Sequence, residues 1–94
     1  MSQRAQSHCT NQLLRYRKKR HLRLRDVAKL AGLVGAAHIS HWEKGRKTPS
    51  LRNALLLSAA LQCPVEILFL DLFNQVRKQT HDNKSRHNVT LKYE

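Results

Sequence analysis

Acidic residues are scarce in this sequence, six Asp and Glu against eighteen Lys and Arg in 94 residues. They do not cluster, which excludes a paired-carboxylate centre and an acid-rich metal site. Glycine occurs three times, at Gly32, Gly35 and Gly45, so there is no glycine-rich loop to cradle a nucleotide phosphate. Cys9 and Cys63 are the two cysteines, and they have no CxxC or zinc-type spacing. They either form one disulfide or stay free in a reducing compartment, where Cys63 acts as a small hydrophobe. No apolar run approaches the about 20 residues that span a bilayer. The opening stretch, MSQRAQSHCTNQ, has no apolar signal core. The expectation is a cytoplasmic protein that needs no cofactor, metal or membrane. No nucleophile–base constellation has workable spacing, so an enzyme is not expected either.

What the sequence has is positive charge. The formal net charge is +12 and the pI near 10.8. A polyanion is the implied partner: DNA, RNA or an anionic membrane surface. The charge follows particular segments. Residues 1–50 hold twelve basic and two acidic residues, whereas residues 51–76 hold only Arg52 against Glu66 and Asp71. The last eighteen residues are basic again. The length suits one domain with one modest core.

Residues 1–11 are polar and unpatterned, as in a flexible arm. The periodicity predicts a domain over residues 12–79. Its first helix, Gln12 to Arg20, has Thr10 or Asn11 as N-cap. Leu13, Leu14 and Arg17 share one face, with Lys18, Lys19 and Arg20 outside. An arginine among leucines needs a partner, because a lone buried charge is costly. The second helix, Leu24 to Ala31, ends at Gly32 and turns Leu24, Val27, Leu30 and Ala31 inward. Arg23 stands where a cap acceptor is expected, and Arg25 meets the positive end of the helix dipole. Either a phosphate sits there, or both arginines are simply solvated.

The third helix starts at Gly35 or Ala36 and runs to Lys44, where Gly45 stops it. Its inner face holds Gly35, Ala36, Ile39, Trp42 and Glu43. Its outer face holds Ala37, Ser40, His41 and Lys44, with His38 on the flank. That outer face has no acid and offers small or donor-bearing side chains, which fits a DNA major groove. His38 and His41 are three apart, as metal ligands can be, but no third ligand is evident. Glu43 turns inward with sign opposite to Arg17, which predicts a partly buried ion pair between them. Arg46 and Lys47 form a basic tip.

Ser50 is placed to cap a fourth helix, Leu51 to Leu61, which is apolar on nearly all sides and so central or doubly covered. A fifth helix is predicted from Pro64 to about Lys78, with an apolar stripe of Leu68, Phe69, Leu72, Phe73 and Val76. Either it all folds onto the fourth helix, or part of it meets a second copy of the chain. Residues 80–94 read as a polar tail. Within it, Asn88 to Tyr93 alternates like a strand, either disordered or formed on association.

These residues resemble the Cro/CI-type, or XRE-like, helix-turn-helix family. The resemblance rests on Arg17, Leu22, Val27-Ala28, Gly32, the run Ile39-Ser40-His41-Trp42-Glu43-Lys44-Gly45, the basic Arg46-Lys47, Pro49-Ser50-Leu51 and Val65-Glu66-Ile67-Leu68-Phe69. It covers about residues 12–70, in order and at nearly the family's spacings. It implies an all-α, five-helix, lambda-repressor-like domain that binds operator-like double-stranded DNA, usually as a homodimer. The family's base-reading face maps onto Ala36, Ala37, His38, Ser40 and His41. Its phosphate contacts map onto Arg23 to Arg25 and onto Lys44, Arg46 and Lys47, with Arg52 and Asn53 adding to them. If part of the fifth-helix stripe does meet a second copy, Phe69, Leu72, Phe73 and Val76 are the residues that form that dimer surface. Three departures stand out. Arg23 and Leu24 replace the usual polar cap and glutamine. Gly32 to Ile39 spans seven steps where the family has six. Ala36 and Ala37 replace long polar readers, which leaves base reading to His38, Ser40 and His41 and to DNA shape.

The leading expectation is a sequence-specific DNA-binding regulator, repressor-like, acting as a homodimer. A second is a protein-interaction module, such as a DNA-binding antitoxin held to a partner protein through its C-terminal helix or tail. A third is an RNA-binding or general nucleic-acid-coating protein, whose non-specific binding would weaken steeply with salt.

Overall fold

The computed structural model describes residues 11–90, and among these the only regular elements are helices. There are six: α1 (Leu13–Lys19), α2 (Leu24–Ala31), α3 (Ala36–Glu43), α4 (Leu51–Leu61), α5 (Val65–Leu68) and α6 (Leu70–His87). Helix α2 packs against both α3 and α4, α1 meets α3, and α4 meets α5. The core is aliphatic with a single indole. Leu13, Val27, Ile39, Leu57, Leu61 and Leu68 are fully buried, and Ala28, Trp42 and Cys63 close around them. Cys63 is a buried free thiol. Cys9, and with it the disulfide alternative, lies outside the described residues, as does Thr10.

Local chemistry sets the ends of the helices. Asn11 accepts a hydrogen bond on Oδ1 from the Leu13 N–H, satisfying a donor that α1 leaves free. Gly32 ends α2 at φ 71° and Gly45 follows α3 at φ 72°, a left-handed turn that glycine enters without steric cost. Ser50 Oγ accepts from the Asn53 N–H and so caps α4. Gln62 ends α4 in the left-handed region at φ 52°. The carbonyls freed there are taken by Arg20, whose Nε donates to Leu61 at 3.0 Å and Nη2 to Gln62 at 3.2 Å. Arg20 is thus half-buried and bridges α1 to α4, rather than lying on the outer surface as its sequence position suggests.

Other expectations are corrected as well. Leu30 is exposed rather than part of the inner stripe of α2, and Leu14 is exposed beside Leu13. The buried residues of α4 are Ala54, Leu57 and Leu61, while Leu51 and Leu55 on its other side are open, so α4 is covered on one face only. The predicted fifth helix is two helices meeting at Phe69, whose φ of −115° and ψ of 49° are not helical. The cause is at Leu68: its carbonyl accepts from the Gln12 N–H at the start of α1 at 2.7 Å, where a continuous helix would need it for Leu72. The stretch 80–87, read from the sequence as part of a polar tail beyond the domain, is the second half of α6, which ends at Asn88 with φ 57°. The Val89 N–H returns to the Lys84 carbonyl, so residues 88–90 close a helix and form no strand. The rest of the predicted strand, and residues 1–10 of the predicted arm, lie outside the described residues. No helix among the described residues is long and apolar enough to cross a membrane.

Candidate nucleic-acid interface

Helices α2 and α3 with the turn 32–35 present the surface singled out by the sequence. Leu33 tucks against the core, Val34 projects fully into solvent, and Gly35 is extended (φ −144°, ψ 159°) before the first residue of α3. The extra residue of the turn is therefore absorbed in the connection, and α3 begins at Ala36. Ile39 and Trp42 anchor the inner side of α3 in the core. On its other side Ala37 and His38 are exposed, while Ser40 and His41 are half-buried, as is Ala36 at the start of the helix. The His38 imidazole stacks on Trp42, with ring centroids 6.2 Å apart and planes 27° from parallel.

The end of α3 is fixed in three ways. Arg17 Nε donates to Glu43 Oε2 at 2.6 Å and Nη2 to Oε1 at 3.2 Å, a two-pronged pair of the strong, orientation-specific type. The same guanidinium donates through Nη1 to the Leu22 carbonyl at 3.1 Å, which ties in the segment leading to α2. The side chains of Arg17 and Glu43 are only 14% and 8% exposed. Asn11 Nδ2 donates to the Trp42 carbonyl at 2.7 Å. The Asn11–Trp42 and Arg20–Leu61 contacts are the ones the sequence concealed, because the partners lie 31 and 41 residues apart.

The basic side chains surround this helix without being drawn into the core. Lys44, Arg46 and Lys47 are exposed just past the end of α3, Arg25 is exposed on the first turn of α2, and Arg52 on that of α4. Asn53 is half-buried, and its N–H is spent on Ser50. Arg23 differs from the others. Its N–H donates to Asp26 Oδ2 at 2.9 Å and its Nε to the same oxygen at 3.2 Å. This is half of a capping box, the acidic return half; Arg23 has no acceptor with which to supply the other. The Arg23 N–H first, then its guanidinium and the nearby Arg25, hold the Asp26 carboxyl below the ordinary carboxylate range. Glu43 and Asp26 are thus both paired with arginines, leaving the α3 surface with donors and cations. Among the described residues no three His, Cys, Asp or Glu side chains gather as a metal site would require.

A family model described as helix-turn-helix matches residues 13–68, more than half of the chain. The chain belongs to the XRE-type helix-turn-helix family. It is a DNA-binding regulator of that type. Among solved structures this helix-turn-helix protein resembles the restriction-modification controller protein C.AhdI from Aeromonas hydrophila, at 31% identity and a TM-score of 0.57, over 62% of this chain and 86% of that one. No curated protein sequence matches it. The matched region takes in α1 to α5 and stops at Leu68, so α6 lies beyond the shared domain.

The remaining surface of interest is apolar. Thr48, Pro49, Leu51, Ala54, Val65, Phe69, Leu72, Phe73 and Val76, with Glu66 the one charged residue, line a groove of about 320 Å³ between the start of α4 and the first half of α6. A second, shallow concavity on the other side of Leu51 is lined by Arg52, Leu55 and Leu56. Helix α6 buries none of its 18 residues. The four residues expected at a dimer surface all line this one groove.

Proposed function

We propose that the protein is a sequence-specific double-stranded DNA-binding transcription regulator, repressor-like, which acts as a homodimer with α3 in the major groove. The observation that carries this is α3 itself. Its inner side is held by Ile39, Trp42 and the Arg17–Glu43 pair, while its outer side offers Ala37, His38, Ser40 and His41, with Ala36 at its first turn and no carboxylate among them. Ser40 and His41 supply donors and acceptors for base edges, and the alanines permit close approach. Arg25, Lys44, Arg46, Lys47 and Arg52 supply phosphate contacts, which set register and orientation. Asn53 adds one through its amide. Arg23 joins them by exchanging Asp26 for a phosphate.

Dimerisation is supported by the groove lined by Leu51, Phe69, Leu72, Phe73 and Val76. Most helical stability in proteins comes from packing an apolar face, and α6 buries none of its residues, so its apolar turns need something to cover them. A second copy supplies that cover and also sets two α3 helices against successive turns of DNA. The likeness to a restriction-modification controller supports a role in switching a promoter. The same groove would serve the antitoxin-like alternative if a different protein filled it. Mass in solution tests the choice: the purified chain alone is expected at twice its 10.9 kDa mass, whereas a monomer that binds DNA only with a co-purified partner would support the alternative.

A further inference from the structure

The second half of α6 has no part in the groove just described. Between Arg77 and His87 the sequence has four Lys and Arg, two His and a single acid, Asp82, with no apolar residue. Every residue from Phe73 to Thr90 is exposed. Arg77, His81 and Lys84 recur at helical spacing and line one surface, continued towards the core by Phe73. The Arg77 guanidinium lies over the Phe73 ring at 5.9 Å, which holds it against the helix with its edge free for an anion. The helix is unbroken to its end: Thr80 Oγ1 donates to the Val76 carbonyl, and Asn88 closes the last turn.

A helix that is polar all round is not explained by packing. The apolar seam stops at Val76, so the distal turns cannot extend a helix–helix interface between two copies, and two such segments side by side would repel. Charge complementarity selects a polyanion. Duplex DNA presents one phosphate charge per about 1.7 Å of axis, and the eleven distal residues span about 16 Å at helical rise. We propose that Arg77–His87 is a second DNA-contacting element, which adds sequence-independent phosphate contacts through Arg77, Lys78, Lys84 and Arg86 to those around α3. This inference rests on the DNA-binding reading above. It assigns a task to the one helix that lies outside the matched region.

The test is the salt dependence of binding by the full chain and by the variant R77Q/K78Q/K84Q/R86Q, using a duplex selected by the wild-type protein from random sequence. Glutamine keeps helix propensity near that of lysine and arginine, and circular dichroism checks that α6 persists. The variant is expected to keep the sequence preference and the solution mass of the wild type and to weaken on every duplex alike. The slope of log affinity against log salt should fall by about 0.9 for each phosphate that is no longer neutralised, about 2–4 per protomer. An unchanged slope overturns the inference and leaves the α3 reading intact. A variant that turns monomeric also overturns it, because α6 would then serve assembly or a protein partner. If the wild type selects no duplex, the DNA-binding reading fails, and this inference with it.

Discussion

At the residue scale, Arg17 and Glu43 show how one ion pair can govern a binding surface. A buried pair adds little net stability over an apolar one, but removing one partner leaves an uncompensated charge. Glu43→Gln should therefore cost about 3–5 kcal/mol in urea unfolding, and Glu43→Leu combined with Arg17→Met much less. Equal losses in both variants would show that the pair matters for packing alone. Asp26 offers a second test, through pH. Its folded carboxyl is held below its ordinary value, so the stability it contributes is present above the ordinary carboxylate range. That contribution is lost as pH falls through the lowered value. The melting temperature of Asp26→Asn should therefore lie below the wild type at pH 7 and converge on it below about pH 4. A gap that stays constant with pH would contradict this.

At the scale of elements, the sequence showed most where side chains repeat on a buried face. The bounds of α2, α3 and α4 follow from Val27, Ile39 and Leu57 with their flanking caps, and the Arg17–Glu43 pair from sign and spacing. It showed least where the deciding contact is distant or the helix is bare. The break at Phe69 depends on the Leu68 carbonyl turning to Gln12, a backbone bond that no side-chain pattern announces. Arg20 reads as a surface cation until the carbonyls of Leu61 and Gln62 are placed beside it. The last turns of α6 have no apolar stripe, so periodicity had nothing to register there. The one-residue longer turn shows that a family's spacing can drift while α3 keeps its anchors, since Ile39 and Trp42 fix the helix and Val34 loops outward.

At the scale of the whole molecule, the shared domain and the helix beyond it divide the work. The domain presents α3, and the first turns of α6 complete a groove with α4, the surface proposed above for a second copy. Phe73 lines this groove and is partly exposed, so Phe73→Glu should leave the domain folded and yield a monomer in sedimentation, with a roughly tenfold or greater loss of DNA affinity, about 1.4 kcal/mol or more. A stable dimer in that variant would move the interface elsewhere. The most direct measurement is selection of bound duplexes from a random pool at about 150 mM salt, carried out in parallel for the wild type and His41→Ala. The wild type should enrich an inverted repeat with half-sites about 10 bp apart, and His41→Ala should flatten one or two positions in each half-site, worth about 1–3 kcal/mol. A pool that enriches no motif, or a motif untouched by His41→Ala and by every other change on the outer face of α3, would contradict the account.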